Sequence, residues 1–154
     1  MDGFQLAQIN IGRLRAPVDS PVVAEFMEAL DPINAMADAS AGFVWRLQTD
    51  DGNATALRPY DDDTILINMS VWASIDALSE FVYQSAHAGY LRRRREWFER
   101  ATEIITALWW VRDGHIPPVE EGIERLDHLR AHGPTPQAFT FRERFAAPAV
   151  AAEA

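Results

Sequence analysis

An apolar run, a long charged amphipathic run and a second apolar run occupy the middle of the chain. Residues 64–72 are rich in apolar and β-branched side chains, which is typical of a strand covered on both faces. Period-two alternation predicts one face with Ile65, Ile67, Met69 and Val71, and an opposite face with Leu66, Asn68, Ser70 and Trp72. The second face therefore combines apolar side chains with hydrogen-bonding groups.

A helix is predicted to follow this strand. Ser74 suits the N-cap position, and Asp76 places a negative charge in the first turn, where it favours the helix dipole. The helical pattern weakens over residues 85–89 and resumes to about residue 101. Residues 104–112 then close the unit as a second strand, with Ala107, Trp109 and Val111 alternating against Leu108 and Trp110.

Four consecutive arginines, Arg92 to Arg95, lie in the second half of the predicted helix. Helical spacing places only Arg94 on the apolar stripe, which is formed by His87, Leu91, Phe98 and Ala101, with Tyr90 and Trp97 beside it. The other three arginines are predicted to pair with nearby glutamates on a solvated face. A charge among aromatic side chains is costly without a partner, so Arg94 and His87 are the two candidates for chemistry here.

The same patterns predict the remaining elements. They are a strand at 4–13 with Gln8 and Asn10 on one face, a helix that begins at Ser20-Pro21 and bends at Pro32, a strand at 42–49, a helix at 119–131 and a short edge strand at 136–145. Residues 146–154 are predicted to form a disordered tail, so that a single domain spans residues 1–145.

This order of elements is βαββαβ followed by a C-terminal helix and strand. It predicts an α+β, ferredoxin-like fold, with an antiparallel sheet and helices on one side. A sheet covered on one face only would carry polar residues on the other, yet these strands are apolar on both faces. A second copy of the chain is therefore expected to cover the bare face, which makes a homodimer the predicted partner arrangement.

Composition narrows the classes of function. The formal net charge of −9 argues against binding to nucleic acid or to anionic membrane surfaces, although it leaves room for a local basic pocket. The chain has no cysteine, no glycine-rich phosphate loop and no apolar run long enough to span a membrane. The adjacent aspartates 61–63 are interpreted as a solvated turn rather than a metal site. No cofactor and no metal are expected, and the predicted location is cytoplasmic.

Several segments resemble a family catalogued only as a domain of unknown function within the dimeric α/β-barrel superfamily. They are Leu6-Ala-Gln-Ile-Asn10, Gly42-Phe-Val-Trp-Arg46, Asn68-Met-Ser-Val-Trp72, Phe81-Val-Tyr83 with His87, residues 92–97, Trp109-Trp110 and Gly114-His-Ile-Pro117. Relatives in this superfamily include cofactor-free monooxygenases of the antibiotic-biosynthesis type, haem-degrading enzymes and isomerases. The resemblance implies a homodimer with a small-molecule pocket between each sheet and its own helices, and it does not choose among these chemistries.

Two histidines are candidates for chemistry. His87 would act as a general base or a haem ligand, or it would only hydrogen-bond at the irregular part of the helix. His115 lies in a loop after a tryptophan-rich strand and has the same alternatives.

Five further residues are candidate ligand-binding groups. Arg46 would bind a carboxylate or phenolate of a ligand, or pair with a carboxylate of the protein. Asn68 shares a strand face with Trp72, and Trp97 and Trp109 would add to an aromatic wall, although packing alone also explains the tryptophans.

The leading hypothesis is a pocket for a small, mostly apolar molecule. If the protein is an enzyme, cofactor-free proton transfer or oxygenation is expected, with His87 as base and Arg46 or Arg94 stabilising an enolate-like anion. Two alternatives stay open: a haem-binding protein with His87 or His115 as axial ligand, and a non-catalytic sensing or structural dimer whose interior is filled by side chains.

Overall fold

The computed structural model describes residues 3–17, 19–47, 65–84, 89, 92–100 and 103–148. The aspartates 61–63 lie outside these residues, as does the last part of the strand predicted at 42–49. The strands are β1 (Phe4–Arg13), β2 (Phe43–Arg46), β3 (Ile65–Trp72) and β4 (Thr106–Arg112), and the helices are α1 (Ala24–Asp38), α2 (Ile75–Gln84) and α3 (Val119–His132).

The four strands form one antiparallel sheet in the order β2-β3-β1-β4. Strands and helices follow one another in the predicted βαββαβ order, so the ferredoxin-like arrangement with an added C-terminal helix is confirmed. The helix start at Ser74 is confirmed, because Ser74 Oγ accepts from Ala77 N at 3.1 Å. Ser20 Oγ accepts from Val22 N at 3.1 Å and so caps a 3-10 turn, Pro21–Val23, that leads directly into α1. Helix α1 runs on through Pro32, where the sequence predicted a bend or break.

The register of the sheet creates two different faces. On β1, Gln8 pairs with Ser70 and Leu108, and Asn10 pairs with Asn68 and Thr106, so these side chains share one face. We call this the polar-row face. The opposite, apolar face is formed by a buried set of side chains: Ala7, Ile9, Ile67, Met69, Val71, Ala107, Trp109 and Val111.

Helix α3 covers the apolar face within a single chain. Leu126 and Leu129 are fully buried against it, together with Ile9, Met69 and Trp109 of the sheet. The two helices of the βαββαβ unit lie over the polar-row face, on one side of the sheet as predicted. The inference that the other face is left bare is wrong, because α3 covers it, and the apolar face does not need a second copy of the chain to cover it. The need to cover the apolar face is therefore no longer an argument for a homodimer, which stays a prediction.

The segment after α2 also differs from its prediction. The sequence predicted a helix to about residue 101, whereas Arg94–Glu96 form a single 3-10 turn and Phe98 forms an antiparallel bridge with Leu14. Backbone hydrogen bonds from Arg15 N to Trp97 O (2.7 Å) and from Glu99 N to Arg13 O (2.8 Å) hold this bridge. The residues after β1 therefore pair with this segment, and a helix cannot continue through the paired residues. Residues 85–88, 90, 91, 101 and 102 lie outside the described part.

The C-terminal segment adds a bridge rather than the predicted edge strand. Phe139 exchanges two backbone hydrogen bonds with Leu108 of β4, at 2.8 and 2.9 Å, and Trp110 Nε1 donates to Phe145 O at 2.8 Å. Of the predicted tail, residues 149–154 lie outside the described part. In the described residues, no helix is both long and apolar enough to cross a membrane.

Candidate functional site

A cavity of about 630 Å³ lies over the polar-row face of the sheet. Its walls come from α1, α2 and the segment at 94–98, and this volume falls in the range of roughly 300–1,000 Å³ that is common for small-molecule sites. Along α1, the side chains that line it recur at helical spacing: Phe26, Ala29, Leu30, Ile33, Asn34 and Ala37. The sheet supplies its floor.

A hydrogen-bonded network runs across the middle of this floor. Gln8 Nε2 donates to Asn68 Oδ1 at 2.6 Å and to Ser70 Oγ at 2.8 Å, and Trp72 Nε1 also donates to Ser70 Oγ at 2.8 Å. Because Ser70 Oγ accepts both bonds, its own hydroxyl proton is left to donate towards the cavity. Gln8 and Ser70 are buried, so this network satisfies polar groups that would otherwise be costly.

Asn68 and Asn10 extend the polar row towards one end of the floor. Asn10 Nδ2 donates to Thr106 Oγ1 at 2.7 Å across the β1–β4 pair. Asn68 is exposed although it lies within a sheet strand, because the cavity leaves open space in front of it. In the described part of the chain, Asn68 Nδ2 has no hydrogen-bond partner, so a ligand can accept from it.

Aromatic side chains form both ends of the cavity. At one end, Trp72 lies edge-on to Phe43 (5.4 Å between ring centroids) and stacks on Phe81 (5.3 Å). At the other end, Phe26 contacts Trp97 at 5.6 Å and Phe98 at 4.9 Å. Planar apolar surfaces at both ends suit an aromatic or otherwise flat ligand.

Arg46 lines the cavity but is held by the protein. Its Nε donates to Asp38 Oδ1 at 2.8 Å and its Nη2 to Asp38 Oδ2 at 3.3 Å, and its side chain is only 11% exposed. Of the two alternatives left open by the sequence, the structure therefore favours pairing with a carboxylate at the end of α1.

The adjacent arginines Arg93 and Arg94 have different surroundings. Arg93 makes four hydrogen bonds of 2.6–2.9 Å to the carboxylates of Glu25 and Glu96 and lies over the Trp97 ring at 4.8 Å. Arg94 lines the cavity half-buried, with its guanidinium 5.5 Å from the Phe98 ring centroid. No hydrogen bond or ion pair joins the Arg94 side chain to any other described residue, and burial lowers the pKa of its guanidinium.

The structure brings together five of the eight predicted site residues: Arg46, Asn68, Trp72, Arg94 and Trp97. The reason given for Arg94, its place on a helical stripe, is wrong, but the 3-10 turn places it in the same cavity. His87 lies outside the described residues.

Trp109 and His115 are not brought to this cavity. Trp109 points to the apolar face, because strand alternation sets it opposite Leu108 and Trp110, and its Nε1 donates to Glu121 Oε2 of α3 at 2.8 Å. His115 is on the surface, with its Nε2 2.7 Å from Glu121 Oε1. These two residues connect the loop and the sheet to the start of α3.

Sequence reasoning did not select Gln8, Asn10, Ser70 and Thr106 as site residues, although they lie on the floor of the cavity. The available signal was that Gln8 and Asn10 are polar positions on an otherwise apolar strand. Only the register shows that three of their four partners on β3 and β4, Ser70, Asn68 and Thr106, are polar too. Among the described residues, no group of three or more histidine or carboxylate side chains is arranged to hold a metal ion.

Comparison with protein families identifies the chain. A family model described as a domain of unknown function (DUF3291) matches residues 5–154. The chain belongs to this family. The resemblance found in the sequence is thus confirmed, and no curated protein matches the DUF3291 chain in sequence.

Solved structures with similar architecture share little sequence with this DUF3291 chain. A mutant form of SnoaB, a cofactor-independent oxygenase from Streptomyces nogalater, is 18% identical with a TM-score of 0.49, over 77% of this chain and 99% of that one. Rv0793 from Mycobacterium tuberculosis is 16% identical with a TM-score of 0.47, over 74% and 99%. A dabb family protein with a ferredoxin-like fold from Mesorhizobium loti is 12% identical with a TM-score of 0.42, over 74% and 98%. At such identities the likeness concerns fold only.

Proposed function

We propose that the cavity over the polar-row face binds a small, mostly apolar molecule. The observation that carries this proposal is a row of polar side chains, Gln8, Asn10, Asn68, Ser70 and Thr106, under a mostly aromatic and aliphatic cavity of about 630 Å³. A core built only for packing would fill this space with apolar side chains. Polar groups that converge on an open apolar cavity are instead typical of a ligand site, where they orient the bound molecule.

The same observation weighs against a purely structural module. That alternative expects side chains to fill the space between the sheet and its helices, whereas Asn68 faces open space from a sheet strand. The haem alternative receives no such support from His115, which lies on the surface beside Glu121.

For catalysis, we propose cofactor-free proton transfer or oxygenation, with His87 as the base. Arg46 already neutralises Asp38, so Arg94 is the better placed of the two arginines to stabilise an anion that develops on the substrate. Once a substrate is known, His87→Ala should abolish its turnover while the melting temperature stays near that of the wild type. Retained turnover would remove His87 from this role.

Ligand binding is testable before any substrate is known. N-phenyl-1-naphthylamine, a neutral fluorescent probe with two flat aromatic parts, should bind the wild-type protein and brighten in the apolar cavity. Asn68→Trp should block this binding, since the larger side chain would occupy the space over the floor. Val44→Trp is the matched control, because Val44 is 39% exposed on β2 and does not line the cavity.

Each outcome bears on the proposal. Binding by the wild type and Val44→Trp, but not by a folded Asn68→Trp, supports the cavity as the binding site. No binding by the wild type, or equal binding by both tryptophan variants, contradicts it.

Native mass spectrometry of the same samples reports any retained molecule and tests the homodimer, which the family resemblance still leads us to expect.

A further inference from the structure

Arg94 carries a positive charge into the cavity, and no carboxylate among the described residues pairs with it. Glu96 of the same turn and Glu25 of α1 both bind the neighbouring Arg93. Half-burial removes part of the hydration of the Arg94 guanidinium, and the Phe98 ring replaces only a little of it. Because arginine stays protonated at any physiological pH, this cost persists until an anion binds.

The other charged residues around the cavity add to this bias. Among the described residues that line it, Arg46 is already neutralised by Asp38, whereas Arg142, like Arg94, has no hydrogen bond or ion pair with another described residue. The one carboxylate among these lining residues is Glu103. Glu103 is 63% exposed and pairs with Arg130 of α3 at 3.6 Å, so its charge is compensated by a cation other than Arg94. A cavity with this balance is locally positive although the whole chain has a formal net charge of −9.

We infer that the ligand is an organic anion with a flat apolar body, and that its acidic group binds Arg94. The body would then lie along the floor from Phe98 towards Trp72, with Asn68 Nδ2 and the Ser70 hydroxyl as further donors. A carboxylate, sulfonate or phenolate group all fit the guanidinium, since each offers acceptor oxygens to its fork of donors. This inference rests on the proposed function and specifies its ligand class.

Two related fluorescent probes separate the charge from the apolar body. 8-Anilinonaphthalene-1-sulfonate has the same anilinonaphthalene body as N-phenyl-1-naphthylamine and adds one sulfonate. Arg94→Gln should weaken binding of the sulfonate probe about tenfold, because a charge-assisted contact is lost, and should change binding of the neutral probe by less than about twofold.

Two further variants make the comparison specific. Arg94→Lys keeps the positive charge but loses the fork of donors, so its affinity for the sulfonate probe should fall between those of the wild type and Arg94→Gln. Arg95→Gln removes the same charge from the same turn, but at an exposed side chain, and should leave both affinities unchanged. Thermal melting shows that each variant is folded before its affinities are compared.

The outcomes distinguish this inference from the proposed function. If Arg94→Gln lowers the affinity for both probes equally, Arg94 only shapes the cavity. If it leaves the affinity for the sulfonate probe unchanged, Arg94 does not contact an anion. Either result overturns the inference and leaves the cavity as a binding site. If neither probe binds the wild type, the proposed function fails, and this inference fails with it.

Discussion

Gly122 of α3 lies so close to Met69 of β3 that an added Cβ would be 2.9 Å from Met69 Sδ. The same Cβ would be 2.9 Å from Ile9 Cδ1 of β1, and both of these sheet residues are fully buried. The absence of a side chain at this position therefore lets the helix backbone approach the sheet. This contact is the centre of the packing that covers the apolar face within one chain.

Gly122→Val should lower the free energy of unfolding by about 1–3 kcal/mol, because the new methyl groups would overlap buried side chains that have little room to move. Urea unfolding followed by tryptophan fluorescence measures the change. Asp127→Val is the control, since it adds a β-branched residue at an exposed position of the same helix. Equal effects of the two substitutions would show that α3 does not pack on the sheet as described.

Ser70→Ala should destabilise the protein by about 1–3 kcal/mol, because it leaves Trp72 Nε1 without its acceptor and removes one of two acceptors from Gln8 Nε2. Ser79→Ala on α2 is the matched control, since Ser79 makes no side-chain hydrogen bond to another described residue, and its effect should stay within about 0.5 kcal/mol. If Ser70→Ala unfolds at the same urea concentration as this control, the network on the floor contributes nothing to stability.

The paired carboxylates of Glu25 and Glu96 predict a pH dependence of stability. Hydrogen bonds from Arg93 hold the pKa of each carboxyl below its ordinary value of 4.5. The unfolded chain therefore binds more protons than the folded one at pH values just below 4.5, so this contribution to stability is present above that pH and is lost as the pH falls through the folded pKa values.

Arg93→Gln should remove this part of the pH dependence. Urea unfolding at about pH 7 and at successive values below 4.5 should give a shallower acid loss for Arg93→Gln than for the wild type. Arg95→Gln removes the same charge without touching Glu25 or Glu96 and should keep the wild-type slope. The wild-type slope in Arg93→Gln would show that the Arg93 contacts do not form in solution.

The sequence by itself determined the order of the four strands and of the helices between them, although not where the second helix ends. Alternation along β1, β3 and β4 separated the two faces of each strand correctly, because side-chain direction in a strand depends only on position. Ser20 and Ser74 marked the helix starts because capping is a local interaction. The same local reasoning put Asn68 and Trp72 on one face, and the structure has them on the floor of one cavity.

Only the tertiary structure decided which element covers each face. Alternation shows that both faces of the sheet are apolar, but it cannot tell whether α3 or a second chain buries the apolar face, since either would satisfy the same pattern. Because α3 packs on the apolar face, Trp109 lies in the packed core rather than at the candidate site. The pairing of Leu14 with Phe98 likewise joins segments far apart in sequence. The chain around the arginines therefore does not form the helix that its local pattern predicts, and Arg94 lies at the cavity. Contacts of this kind depend on the whole fold, whereas periodicity and capping depend only on neighbouring residues.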